Sequence, residues 1–410
     1  MNRTSLAALA FTTALCGSLA AHADTVRIGL LAPLTGPAAA DGEEFVRGVE
    51  WAIEEANAAG GVAGYTFELV VADVRDQSAA NVSSAAERLL GTSGVEVILT
   101  GYASLTMFEV ELMAEAGMPY IAAGPSPSFA AITTQNIEDY WCCWSYTASF
   151  TGYETDVMPA VESLAERGLI TLRDRSVAII SSDNAYSRTI SEGMKVSFEE
   201  GGWNIVVDEM VPFGEVGDWR AILARVRETQ PDLVINTDYL PGNSALFLNQ
   251  FLDAPTDSLV FLQYAPSVPE FVQLTGENSV GVLYNLINAP LDSEGWPRGQ
   301  ELMRAYEARF GMESGVYGVG LYEMANLYFE ALAEVGDPTD RRAIAAAIGV
   351  IQRPTVAGNL EFDPETHVAL QSNDHIPVSF WQLQEGGARV LIEPAAYANG
   401  EFLLPPWMSQ

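Results

Sequence analysis

Val95-Glu96-Val97-Ile98-Leu99-Thr100 runs into the turn Gly101-Tyr102-Ala103-Ser104, then a helical stretch over 105–116 and a short strand over 118–122. The stretch closes on Ala123-Gly124-Pro125-Ser126-Pro127-Ser128. This is a strand, small-residue turn, helix, strand, small-residue turn unit. In a parallel sheet both turns sit at the carboxyl ends of their strands, where open α/β sheets bind ligands. Small residues let a ligand approach the backbone, and the N–H groups at a helix start favour an anionic group. The two turns are expected to form half of a small-molecule cup.

The same rhythm extends to both sides. Residues 25–34 read as a first strand, turned by Pro33-Leu34-Thr35-Gly36-Pro37. Asp41 is placed to cap a helix through about residue 58, with Phe45, Val49, Ala52, Ile53 and Ala56 on one face. A strand over 65–72 and a helix over 79–90 follow. Repeated β-α-β of this kind builds a doubly wound parallel sheet. Residues 132–153 break the rhythm with Tyr140, Trp141, Trp144, Tyr146, Phe150 and Tyr153, and a crossover to a second lobe is placed near 145–149. Strands over 176–181, 204–211, 233–237 and 259–263 then alternate with helices, and 281–287 reads as a return strand. Helices over 299–310, 317–335 and 340–348 revisit the first lobe. Segments 358–362, 377–384 and 388–393 read as a terminal ribbon, with the tail Phe402-Leu403-Leu404-Pro405-Pro406-Trp407 on the surface. The expected fold is α/β, two doubly wound parallel-sheet lobes joined by a multi-strand hinge. Residues 24–146 and 289–354 form lobe I, and residues 147–288 and 355–410 form lobe II with the ribbon and tail. A chain of 410 residues fits two such domains.

Composition narrows the function. Charged residues are 18% and hydrophobic residues 49%, which is globular. The formal net charge of −34, with Lys195 the only lysine, argues against nucleic acid or anionic lipid as a partner. Arg3, an apolar run over 6–15 and Ala21-His22-Ala23 read as a secretory signal peptide spanning residues 1–23. The expected product is a soluble secreted protein. Outside that segment only Cys142 and Cys143 remain, adjacent, and either a vicinal disulfide or two buried thiols. No Walker loop, His-Glu-x-x-His or Gly-x-Ser-x-Gly is present. His367 and His375 read as surface histidines, and paired acids such as Glu43-Glu44 and Glu54-Glu55 as solvated helix faces. Neither an enzyme nor a metal or cofactor site is expected.

What remains is a set of residues at strand ends: Asp41, Tyr102, Ser104, Ser126, Tyr186, Asp238, Tyr239 and Tyr264. Any one of them alone could be a cap or a packing residue. Their shared position at the carboxyl ends of strands makes them a candidate binding set.

Ile28-Gly29-Leu30-Leu31-Ala32-Pro33-Leu34-Thr35-Gly36-Pro37, then Gly42, then Ala56-Asn57-Ala58-Ala59-Gly60-Gly61-Val62, resembles the periplasmic binding proteins of the leucine/isoleucine/valine and amide-urea type. Asp73, Asp76, Gly117-Met118-Pro119 and Gly358-Asn359-Leu360-Glu361-Phe362-Asp363 carry the same resemblance. It implies a type I periplasmic binding fold that closes on a small polar solute such as an amino acid, amide or carboxylate. It implies a membrane permease of an ABC importer as partner, with the receptor a monomer. The same fold also serves ligand sensing for a kinase, chemoreceptor or regulator. By the family pattern Ala103, Ser104, Gly124 and Ser126 hold a ligand carboxylate, and Tyr186 and Tyr239 supply aromatics from the second lobe. Ala103 replaces a usual Ser, Tyr102 stands where relatives can carry a Cys, and Ala265 falls near the acid that meets an amino acid's ammonium. Either Asp41, Asp183 or Asp238 replaces that acid, or the ligand lacks an α-ammonium. The set Tyr102, Tyr186, Tyr239 and Tyr264 suits a flat ring, an amide or a cation held by π faces.

Overall fold

The computed structural model describes residues 24–92, 94–124 and 127–409. Strands β1 (Asp24–Ala32), β2 (Tyr65–Asp73), β3 (Val95–Thr100), β4 (Tyr120–Ala122) and β5 (Cys143–Ser145) form a parallel sheet in the order β2-β1-β3-β4-β5. Helices cover both faces, so β3 and β4 are apolar along almost their whole length. Strands β6 (Ser176–Asp183), β7 (Asn204–Pro212), β8 (Leu233–Asn236), β9 (Leu259–Leu262) and β10 (Leu283–Ile287) repeat that order as β7-β6-β8-β9-β10, again parallel. In each sheet the order reverses beside its first strand, which opens a crevice at the carboxyl ends.

The C-terminal ribbon divides. β11 (Arg353–Thr355) and β12 (Gly358–Leu360) pair with each other. β13 (Val378–Leu383) and β14 (Arg389–Glu393) join the second sheet antiparallel, beyond β10. Residues 355–369, assigned to the second lobe from the sequence, lie against the first sheet instead. Val356 and Ala357 pack with Trp51 and Tyr306, and the Ala369 N–H donates to the Ser145 carbonyl at 3.0 Å. Strands of three residues carry too little pattern to say which sheet they serve. The chain thus passes between the sheets after Ser145, after Ile287, and between Ala369 and Val378.

The return to the first sheet is fixed by a close helix crossing. Helix Val316–Val335 lies against helix Ala39–Ala58, and a Cβ on Gly48 would stand 2.2 Å from the Gly318 carbonyl oxygen. The Gly318-Val319-Gly320 run is therefore a helix contact. Glu44 completes the joint. Its buried carboxylate accepts the Gly315 N–H at 2.6 Å and the Gly318 N–H at 3.1 Å, at the N-terminus of the second helix. A negative charge there meets unpaired amides and the positive end of the helix dipole. Burial still holds its carboxyl above the ordinary glutamate range. Glu44 is thus buried, where a solvated face was expected.

One open alternative is decided and one further expectation changes. Cys142 and Cys143 are joined as a vicinal disulfide, and both are buried. His367 is buried, not at the surface. It stacks on Trp144 with centroids 3.9 Å apart and its Nδ1 lies 3.1 Å from the Cys143 carbonyl oxygen. Among the described residues no helix is long and apolar enough to cross a membrane.

The crossing makes a paired test. Gly48→Ala should lower stability by about 1–3 kcal/mol, because backbone must move. Gly320→Ala, where nothing lies within 4 Å of the added carbon, should be neutral or gain up to about 1 kcal/mol from helix propensity. Urea midpoints of the two variants should move in opposite directions or differ clearly; equal midpoints would contradict the close crossing.

Candidate functional site

The carboxyl ends of both sheets face one cavity. From the first sheet come Tyr102 and Ser104 after β3, and Ala123 and Gly124 after β4. From the second come Tyr186 after β6, Tyr239 after β8, Tyr264 after β9 and Ile287 at the end of β10. Phe150 and Tyr153 enter from the crossover, and Val316 and Tyr317 from the first turn of helix Val316–Val335. Among the described residues six tyrosines line this cavity and no Lys, Arg, His, Asp or Glu does.

Neighbouring rings meet edge to face. Tyr102 and Tyr239 lie 6.4 Å apart at 81°, Tyr186 and Tyr239 5.6 Å at 81°, and Tyr102 and Tyr317 5.5 Å at 62°. This is the favoured geometry of aromatic quadrupoles, so the walls support one another. Gly124 admits Tyr102: a Cβ at Gly124 would stand 2.9 Å from the Tyr102 Cβ.

Behind the rings lies Asp41. Its Oδ2 accepts the Tyr102 hydroxyl at 2.5 Å and its Oδ1 accepts the Tyr264 hydroxyl at 2.9 Å. Tyr102 belongs to the first sheet and Tyr264 to the second, so one buried carboxylate ties the two together. It makes no capping bond to its own helix. Both oxygens face the tyrosines, which is why the capping role read from the sequence is not filled. Burial pushes the Asp41 carboxyl up to about 7; the two hydroxyls oppose this, while Glu44 and Glu270 add to it.

Tyr264 pays a conformational cost to reach Asp41. Its φ is 64° and ψ is −53°, and the Ala265 N–H donates to the Gln263 carbonyl at 2.7 Å. That is a γ-turn with a bulky residue at its centre, a rare and strained form. The turn swings the ring off the end of β9 and across to the other sheet.

The sequence profile of the family described as "Periplasmic binding protein" matches residues 25–387. The chain belongs to the periplasmic binding protein family. It is 26% identical over 412 residues to Leu/Ile/Val-binding protein homolog 7 of Brucella melitensis, covering 98% of this chain and 99% of that one. A crystal structure of a putative branched-chain amino acid ABC transporter from Silicibacter pomeroyi superposes with a TM-score of 0.82 at 30% identity, over 94% of this chain and 100% of that one. The solute-binding protein of an ABC transporter from R. palustris, solved in complex with benzoate, shares the fold with a TM-score of 0.72 at 18% identity, over 94% and 99%. The fold is the type I periplasmic binding fold, and the family is one of binding proteins, not enzymes.

Within this binding protein the candidate residues part company. Tyr102, Ser104, Gly124, Tyr186, Tyr239 and Tyr264 line the one cavity. Ala103 does not; it is buried in the core on the other side of its turn. Asp238 does not either. Its carboxylate accepts the Leu240 N–H at 3.0 Å and the Asn243 side-chain amide at 2.7 Å, holding the turn into helix Pro241–Leu252. Ser126 lies outside the described residues. Asp183 is exposed and pairs with Arg188. Ser104 reaches the cavity wall, yet its hydroxyl donates to the buried Glu109 at 2.5 Å and its N–H points at the same carboxylate at 3.3 Å. A carboxylate of the protein itself thus takes both Ser104 donors, two of those expected to hold a ligand's.

Phe150, Tyr153, Ile287 and Tyr317 were missed as lining residues. The aromatic density of 132–153 was the available signal for the first two. Nothing local marks Tyr317, which is more than 200 positions from Tyr102 and meets it only through the helix crossing.

Asp41 sets a pH dependence with a definite sign. Its folded value near 7 exceeds the ordinary 3.8, so between these pH values the folded state binds the extra proton. Stability should fall as pH rises through that window and level off above it. Asp238, pushed up to about 6 by burial, acts in the same direction. Asp41→Asn should flatten the upper part of the melting-temperature profile, between about pH 6 and 7. Parallel profiles for the two proteins would contradict the assignment.

Proposed function

We propose that this protein is the solute receptor of an ABC importer, capturing a small amino acid or a related amide or carboxylate between its two sheets by hinge closure. The observation that carries this reading is the Tyr102–Asp41–Tyr264 tie, which joins the two sheets at the floor of the tyrosine-lined cavity. A solute bound there touches both sheets at once, so its contacts favour the closed arrangement over the open one. The triple passage of the chain between the sheets supports a hinge.

The closed form then presents a surface drawn from both sheets to a membrane permease. The reading of residues 1–23 as a secretory signal supports delivery to the periplasm. The names of relatives support the transport role: one is a branched-chain amino acid ABC transporter protein, another a solute-binding protein holding benzoate.

A thermal-shift screen against amino acids, amides, urea and aromatic acids tests the reading. A ligand at 100 times its dissociation constant stabilises by about 2.7 kcal/mol, so a hit should raise the melting temperature by several degrees. The hit should also reduce the radius of gyration in solution scattering. Tyr186→Ala should fold and lose most of that stabilisation. Retained stabilisation in Tyr186→Ala, or a hit with no compaction, would sink the cavity as the site or closure as the mechanism.

A further inference from the structure

We propose that the solute taken by this cavity carries a quaternary, fully N-methylated ammonium head, held by the faces of Tyr102, Tyr186, Tyr239, Tyr264 and Tyr317. The inference rests on the reading of this cavity as the ligand site and adds the chemical class of the ligand.

An ordinary ammonium brings three N–H donors that need acceptors once buried. Among the described residues the cavity offers no carboxylate to them. Both Asp41 oxygens already accept tyrosine hydroxyls, at 2.5 and 2.9 Å, and both Asp238 oxygens accept donors of their own turn. Ala265, beside Tyr264, is buried and supplies no acid. Leaving a primary ammonium unpaired there would carry a heavy desolvation cost.

A ligand recognised mainly through an anionic group meets the opposite problem. Among the described residues no basic side chain lines the cavity, and the Ser104 hydroxyl and N–H are turned to Glu109. The chain's net charge of −34 opposes an anion and draws a cation.

A quaternary ammonium has neither requirement. It has no N–H to satisfy, and its methyl surface suits an apolar wall that also includes Met107 and Ile287. The rings stand as adjacent, nearly perpendicular walls, with Tyr102–Tyr239 and Tyr186–Tyr239 both at 81°. Ring faces within about 6 Å of a cation attract it, the more strongly when water is excluded.

The experiment is isothermal titration of the whole protein, with thermal shift in parallel. The probes are choline, glycine betaine, the neutral carbon isostere 3,3-dimethylbutan-1-ol, ethanolamine, leucine and benzoate. Choline or glycine betaine should bind at least about tenfold more tightly than the neutral isostere and than ethanolamine. Tyr239→Leu should bind the quaternary probe about tenfold more weakly than Tyr239→Phe, which keeps a ring face. Tyr186→Leu against Tyr186→Phe repeats the comparison should the first pair fold poorly. Equal binding of choline and its isostere overturns the proposal, as does equal loss in the Leu and Phe variants. Binding of leucine or benzoate with no binding of either quaternary probe overturns it too, while leaving the solute-receptor reading standing. If no probe binds even at millimolar concentration, the proposal and the assignment of the cavity fall together.

Discussion

Two carboxylates one turn apart on helix Ala39–Ala58 hold the site together. Asp41 and Glu44 share a face, as residues three apart do, and both are buried. Asp41 receives Tyr102 and Tyr264; Glu44 receives the amides that begin helix Val316–Val335 and so places Tyr317. Three of the six tyrosines of the cavity thus take their positions from one helical turn. Burying two acids side by side is unfavourable: burial raises the proton affinity of both, and Glu44 adds to that of Asp41. The cost is offset only when every oxygen finds a donor, which makes the arrangement demanding about geometry.

That demand explains where the strain lies. Tyr264 adopts a backbone conformation that few bulky residues take, at the end of a strand whose neighbours follow regular parallel pairing. A relaxed turn would leave its ring on its own side of the cavity. The strained turn sends the hydroxyl across to Asp41, where it finds a charged acceptor. The polar contact between the two sheets at Asp41 is therefore specific, and ring contacts such as Tyr102–Tyr239 and Tyr264–Tyr317 accompany it. The close joint at Gly48 and Gly318 lies within the first half.

Much of the fold was legible in the residues. Near-continuous apolar runs such as 95–100 and 259–262 mark parallel strands covered on both faces, and glycine or small polar residues at their ends mark turns. The cavity's position followed from the same reading, because ligands of such sheets sit where strands end. Short elements were less legible. β11 and β12 are three residues each, and their sheet is decided by contacts with Trp51 and Tyr306 from distant parts of the chain. His367 and Glu44 read as surface residues because a local window holds no record of the Trp144 ring or of the Gly315 amide that cover them.

The division is sharpest inside the turn at 101–104. The order of its residues by itself determined a tight, small-residue connection at the end of β3, with one tyrosine and one serine beside a ligand space. It could not say what the serine hydroxyl bonds to. The way the turn folds back onto the first turn of the next helix decided that, by bringing Glu109, five positions on, under it. Tertiary structure decided that Asp41 serves two sheets, through tyrosines 61 and 223 positions away. Hydrogen bonds reach about 3 Å and take whichever partner the packed chain brings within that distance. Local periodicity records which face of an element is apolar, so it determined the sheets; it carries no record of which distant polar atom arrives beside which, so it could not determine the site.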